Sequence, residues 1–260
     1  MKHTVADDKL TGLDRWILGE FSKLEQEVIK AYDDYEFHVV YQKVSQFIAV
    51  ELSSIYHDVI KDRLYTDPAN SHRRRSTQTT LHRLVTGLCR MLAPILAFTA
   101  DEAWEFVPGK MTDSVHQTMW KECQFKLSEA EQKDWEALLE IRRNELTTLE
   151  AARQAKIIGK ALEAKLEAKL VYTGGRKGLQ FEARFKEELR ELLNVSQLQI
   201  NFVPDMGTLF HGRVTHADGQ KCERCWHWET DIGKNAEHPT ICGRCVEAVS
   251  QTFKLRSSAR

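Results

Sequence analysis

Residues 13–35 read LDRWILGEFSKLEQEVIKAYDDY. Within them Leu13, Ile17, Phe21, Leu24, Val28, Ala31 and Tyr35 recur in steps of three and four, which draws one apolar stripe along a helix. One stripe needs a cover, and the following segments supply it. Val40, Val44, Phe47, Leu52, Ile55 and Val59 mark a second helix, which ends before Asp67-Pro68 because proline disfavours helical geometry in the residue ahead of it. Pro68 to Ser76 reads as a loop. A third helix carries Leu81, Leu84, Leu88 and Leu92 up to Pro94, and Thr99-x-x-Glu102 reads as a capping box that restarts it through Trp104 and Phe106. Pro108-Gly109 closes the unit. Helices with one stripe each and short connections bury themselves as an antiparallel bundle, here assigned to residues 10–125.

Downstream the texture changes. Ser128-x-x-Glu131 is a second capping box, heading a long charged helix that the pattern extends towards Leu170, with Gly159 as its weak point. Past Tyr172, Thr173-Gly174-Gly175 reads as a turn and Phe181 to Leu193 as a short helix. Leu198 to Val203 alternates like a half-buried strand, and Arg213 to His216 adds another. Residues 126–210 are therefore assigned to a long helix and a small α+β junction, and 211–260 to a cysteine-bearing finger. The fold class is mainly α.

The 260 residues carry 37 Lys plus Arg against 38 Asp plus Glu, a formal charge of -1, so a broadly basic nucleic-acid binder is excluded. With 42% hydrophobic residues the chain has the material for a core, which argues against intrinsic disorder. The longest apolar run, Met91 to Phe98, falls far short of the ~20 residues of a membrane-spanning helix, so no membrane partner is expected. Met1 to Leu10 is polar and lacks the apolar core of a secretory signal; the expected compartment is the reducing cytoplasm, where disulfides are disfavoured.

Four of the six cysteines fall as Cys222-x2-Cys225 and Cys242-x2-Cys245, with 16 residues between the pairs, inside the spacing of a four-cysteine zinc site. Two tight turns would each present a pair of thiolates to one Zn²⁺, leaving no open position, so the site is structural. Its role would be to fold a segment with too little apolar surface to stand alone. Two disulfides, or a redox-active pair beside a coincidental second pair, are the alternatives; His227 and His238 are alternative ligands. Cys89 and Cys123 read as buried small hydrophobes.

Local charge points to RNA where global charge does not. Between Pro68 and Ala100 there is no Asp or Glu, while Arg73, Arg74, Arg75, Arg83 and Arg90 supply forks suited to phosphates. In the finger, Lys221, Arg224, Lys234 and Arg244 interleave with Trp226, His227 and Trp228, a mixture that unstacked bases use for stacking. The plainer readings are a solvated basic face and a tryptophan that covers the zinc site.

Lys221-Cys222-Glu223-Arg224-Cys225-Trp226, followed by His238-Pro239-Thr240-Ile241-Cys242-Gly243-Arg244-Cys245, closely resembles the C-terminal zinc finger of bacterial isoleucyl-tRNA synthetases. Upstream, Leu13-Asp14-Arg15-Trp16, Tyr35-Glu36-Phe37-His38, Lys61-Asp62-Arg63-Leu64-Tyr65 and Leu92-Ala93-Pro94-Ile95-Leu96-Ala97-Phe98-Thr99-Ala100-Asp101-Glu102 resemble the anticodon-binding bundle of the same class I family. Ile158-Gly159-Lys160-Ala161-Leu162-Glu163-Ala164 resembles the segment leading to its junction. The resemblance covers nearly the whole chain, in the family's order.

The resemblance implies an enzyme that activates isoleucine with ATP and Mg, transfers it to its tRNA and edits mischarged valine. No His-x-Gly-His signature is present, and Lys110-Met111-Thr112-Asp113-Ser114 lacks the second lysine of the family's signature loop and lies on the wrong side of the bundle. No catalytic residue is carried over, and ATP and Mg belong to a catalytic domain outside these residues. The chain is read as the part that grips the anticodon arm of isoleucine tRNA. Arg73, Arg74, Arg75 and Arg83 are placed on phosphates, and Arg224, Trp226, Trp228 and Arg244 near the anticodon bases; the chain is expected to be a monomer. The competing readings are a zinc-dependent scaffold that docks the catalytic domain in trans, and a DNA glycosylase of the formamidopyrimidine type. The latter would need proline as its first mature residue, where Lys2 follows Met1.

Overall fold

A computed structural model describes residues 4–171, 185–203 and 212–257, and the chain divides into two compact units, residues 1–132 and 133–260. Among the described residues it is mainly helical, with two small sheets, and no helix is long and apolar enough to cross a membrane.

The first unit is built on α1 (Gly12–Asp33), whose stripe from Leu13 to Ala31 is buried as its periodicity requires. The stripe ends there. Tyr35 lies past the helix in left-handed backbone (φ 58°), 81% exposed, because the chain turns at Asp34 to begin the next helix. That helix is one rod in three parts: α2 (Phe37–Phe47), a wider-wound π-type stretch (Ile48–Tyr56) and α3 (His57–Thr66). The sequence carries the reason. Phe47 and Leu52 are five residues apart, a step that an ordinary turn would swing off the buried face and a wider turn restores.

Two expectations fail at the next helix, α4 (His72–Leu92). The predicted loop Pro68 to Ser76 is shorter, since Ser71 caps the helix by accepting from Arg74 N at 3.2 Å, so Arg73 to Arg75 form its first turn. The predicted leucine stripe is not the core face either. Ser76, Thr77, Thr80, Leu84, Gly87 and Met91 are buried instead, and Leu81 and Leu88 are left half-buried at the side. The polar half of this face packs on a charge that the bundle encloses. Asp14 Oδ2 accepts from Ser76 Oγ (2.5 Å) and Thr11 Oγ1 (2.6 Å), Oδ1 accepts from Tyr56 Oη (2.6 Å), and Arg63 Nη1 lies 3.5 Å away. Burial, with the Asp14 carboxylate adding to it, holds Tyr56 well above the usual phenol range, so it remains a donor. Lower on the same face Gly87 admits Phe21, whose ring would stand 2.6 Å from any Cβ there.

Thr11–Ser76 contact at one end and the Tyr32 Oη bond to Met91 O at the other make α1 and α4 parallel, with the α2–α3 rod running back between them. Successive helices therefore alternate in direction, as predicted. The short α5 (Ala97–Glu105) starts two residues before the predicted capping box, and Thr99 is an exposed position inside it with no capping role. Residues 107–127 are irregular and are tied down by Trp120 Nε1 and Cys123 N, which both donate to the buried Glu25 carboxylate (3.1 and 2.6 Å).

The second capping box holds. Ser128 N and Oγ donate to Glu131 Oε2, Glu131 N donates back to Ser128 Oγ, and α6 (Glu129–Gln154) begins there. Arg15 Nε donates to Glu131 Oε1 at 2.8 Å, and this bond, more than the cap, pulls the Glu131 carboxyl down from 4.5 to about 2. A carboxyl lowered in the folded state stabilises above its unfolded value and loses that contribution as the pH falls through the folded one. The stability difference between wild type and Glu131→Gln is therefore expected to be full above pH 4.5 and to close between pH 4.5 and about 2. Urea melts of both proteins across that window measure it; a gap independent of pH rules the assignment out.

In the second unit α6 ends at Gln154, not near Leu170. Ala164 to Val171, rich in good helix formers, is instead β1, the central strand of a sheet ordered β2-β1-β3. Its buried residues are Ala164, Leu166 and Ala168, so the face it fills has period two and overrides local propensity. β2 (Gln197–Val203) pairs parallel to it and β3 (Arg213–His216) antiparallel, with Leu166 opposite both Leu198 and Val214. Both strands were read from sequence. A helix, α7, covers 185–193; the predicted turn at Thr173 to Gly175 and the helix residues 181–184 lie outside the described residues. The hairpin β4 (Gln220–Lys221) and β5 (Trp228–Glu229), then α8 (Gly243–Ser257), frame the finger.

Candidate zinc centre and nucleic-acid interface

The hairpin carries Cys222 and Cys225 in its turn. Cys222 N donates to His227 O (2.8 Å) and Trp226 N to Cys222 O (2.9 Å), bonds that close a knuckle with both sulfurs inward. The other pair sits at the head of α8, where Asp231 Oδ2 accepts from Gly243 N at 2.9 Å and Cys245 lies in the first turn. Helix N-termini favour thiolate over thiol. The four sulfurs are buried and all lie within 4.8 Å of one another, and no histidine nitrogen joins them among the described residues.

These dimensions test the donor set. A tetrahedron with Zn–S bonds of ~2.3 Å has edges of ~3.8 Å. Cys225 Sγ and Cys242 Sγ are 3.7 Å apart, and Cys242 N points at Cys222 Sγ from 3.4 Å. Thiols so close compete for protons: the bond from Cys242 holds Cys225 well below the usual thiol range, and the same contact pushes Cys242 well above it. A divalent cation removes that conflict by letting all four ionise. Arg224 Nη1 donates to Cys245 Sγ at 3.5 Å, offsetting part of the surplus negative charge. Outside the cluster Cys89 is buried among Ala100, Trp104, Val107 and Val115, as expected. Cys123 is partly exposed, and burial together with the Glu25 carboxylate pushes its thiol up to about 11.

The remaining candidates divide by their surroundings. Trp226 is 59% exposed and adopts φ 66°, a left-handed conformation costly for a bulky side chain, with Lys221 Nζ 6.0 Å from its ring centroid. So exposed a ring is no lid on the sulfurs. Trp228 is half-buried, edge-on to His216 at 4.3 Å, its backbone N donating to Ser196 Oγ.

On α4 the acid-free stretch does not leave its arginines bare. Arg73 forks onto Asp67 (2.6 Å) and Asp62 (3.2 Å), and Arg83 pairs with Asp7; these carboxylates all come from outside the stretch. Arg74 Nη1 donates to Asp67 O, and Arg75 to the amide oxygens of Gln78 and Asn70, so both keep an unneutralised charge at the surface of the first turn. Sequence reasoning missed the Asp14–Arg63–Tyr56 network and Glu25. Their partners stand dozens of residues away, and nothing local marks them.

The class is defined by a helical unit with three alternating long rods, followed along the chain by a four-cysteine finger. Residues 14–169 match the anticodon-binding domain of tRNA ligase, and the chain belongs to that family. Residues 219–248 match a zinc finger found in FPG and IleRS. Over its length the chain is similar to isoleucine--tRNA ligases: 40% identical over 257 residues to that of Syntrophotalea carbinolica and over 260 to that of Dichelobacter nodosus, covering 95% and 99% of this chain. It corresponds to the anticodon-binding and zinc-finger part of those enzymes and spans 27% of their length.

Proposed function

We propose that this chain is the part of an isoleucine--tRNA ligase that holds the anticodon arm of isoleucine tRNA. The match of residues 14–169 to the anticodon-binding family carries the reading. One structural zinc, held by Cys222, Cys225, Cys242 and Cys245, folds the finger. On the bundle Arg74 meets phosphates first, with Arg73 and Arg83 available by exchange of their aspartate partners, while Arg75 lines the apolar groove at the side of α4. On the finger the exposed Trp226 stacks on an unpaired base, with Arg224, Trp228 and Arg244 beside it. The division into bundle (10–125), junction (126–210) and finger (211–260) is then a division of labour between backbone grip, spacing and base reading.

Attachment of isoleucine using ATP and Mg, and removal of mischarged valine, belong to polypeptide beyond these residues. The chain alone is expected to be a catalytically inactive, cytoplasmic monomer.

Binding of isoleucine tRNA and of an unrelated tRNA at several salt concentrations tests this. Arg74→Ala should weaken both about equally and reduce the salt slope by about 1, since phosphates carry no sequence. Trp226→Ala should remove about 1–3 kcal/mol of stacking at near-constant slope. Equal affinity for both tRNAs in the wild type would sink the specific reading. The scaffold reading gains one observation, an uncovered apolar groove on the bundle.

A further inference from the structure

The leucines that the sequence assigns to the core of α4 have another place. Leu81, Val85 and Leu88 stand one turn apart on the side of the helix, and with Leu52, Leu84 and Pro108 they line a groove of about 700 Å³. Val85 is 37% exposed. The opposite wall is formed by the π-type stretch and the residue after it, Leu52 and His57, so the wider winding that restores the core register also shapes the groove.

Three features describe the occupant. The wall is made largely of aliphatic side chains one helical turn apart, with no Phe, Tyr or Trp among the lining residues, which suits the knobs of a helix better than the faces of bases. Arg75 is the charged side chain among the lining residues and no carboxylate joins it, while burial and the neighbouring Lys61 lower the His57 pKa and keep that ring neutral. Arg75 is bonded to neutral amides, so its charge remains to be matched. The third is length, because the ligases to which this chain is similar carry nearly three-quarters of their residues beyond the matched part.

We propose that the groove seats one amphipathic helix, leucine- or isoleucine-bearing on its inner face and acidic along its edge, from the part of the ligase polypeptide outside these 260 residues. The proposal rests on the reading of the chain as part of a tRNA ligase. A docked helix would cover Val85 and Leu88 and set a carboxylate against Arg75.

The test uses the full 260-residue chain and overlapping 20-residue peptides spanning the remainder of the Dichelobacter nodosus ligase, with binding read by fluorescence anisotropy. A peptide with apolar residues at i, i+3 or i+4, and i+7, flanked by Asp or Glu, should bind. Val85→Asp and Leu88→Asp should each weaken it more than tenfold and leave affinity for isoleucine tRNA unchanged. Val85→Ala, which removes bulk without adding charge, should weaken it less; it also guards against misfolding, checked by thermal melts. Absence of any such peptide, or binding insensitive to the three changes, overturns the proposal. Loss of tRNA affinity in the aspartate variants would give the groove to RNA, and a dimer abolished by Val85→Asp would give it to a second copy. Either result overturns the proposal and leaves the tRNA-binding reading to its own assay.

Discussion

Stripping zinc with a chelator is expected to unfold residues 220–257 while the helical unit and the three-stranded sheet keep their structure. The finger has almost nothing else to hold it. Among the described residues its buried cluster is the four cysteines themselves, with Ile232 and Ile241 packed against them, and its sheet is two residues per strand. Structural zinc contributes about 10–16 kcal/mol in finger peptides at neutral pH, far more than so small a cluster of apolar side chains supplies. Cys245→Ser should act like chelation, because three thiolates bind less tightly and the helix head loses its anchor. Metal content by mass spectrometry, expected at one zinc per chain, and amide exchange resolved by segment measure both effects. If exchange in the finger is unchanged when metal is gone, the cysteines do not hold a structural ion. Lost affinity for isoleucine tRNA in the same sample would tie the finger to recognition; retained affinity would confine recognition to the bundle.

The second large effect is expected at Asp14. Its side chain is 0% exposed and that of Arg63 3%, so removing the carboxylate takes a 3.5 Å ion partner from a buried guanidinium and the acceptor of the Asp14 bonds from Tyr56, Ser76 and Thr11. Breaking one side of such a pair costs about 3–5 kcal/mol, whereas replacing both sides by apolar groups of similar volume is often nearly neutral. Asp14→Ala should lower the stability of the helical unit by that amount, and Asp14→Leu with Arg63→Met should recover only the part due to the guanidinium, because Tyr56, Ser76 and Thr11 still lack the Asp14 acceptor. Native-state exchange of the α1 and α4 amides measures it without assuming that both units unfold together. A cost below about 1 kcal/mol for Asp14→Ala would show that the network is not what joins the three rods.

Much of this was legible in advance, and the parts share a cause. The cysteine ligands, the cap at Ser128 and the stripe of α1 are encoded within one or two turns of chain, where spacing alone sets the geometry. The cap at Ser71 is equally local, but the run of arginines after it reads as loop from sequence alone. Thr99-x-x-Glu102 met the same rule as Ser128 and failed, because the chain had already entered the helix at Ala97. Spacing shows what a segment can do; its neighbours decide whether it does.

The candidate interface shows the same boundary. Trp226 was named from sequence, yet its exposure and its left-handed backbone follow from the knuckle that turns around Cys222 and Cys225. The arginines of α4 were named too, but only the folded chain brings Asp7, Asp62 and Asp67 to Arg83 and Arg73 and leaves Arg74 and Arg75 facing outward.

By itself the sequence determined a helical unit followed by a four-cysteine finger, because amphipathic period and ligand spacing are properties of neighbouring residues. Tertiary structure decided which face of α4 became core, why Ala164 to Val171 is a strand, and which arginines keep their charge. Those outcomes depend on burial and on partners far along the chain, and a buried charge such as Asp14 selects its surroundings more strongly than a leucine stripe does.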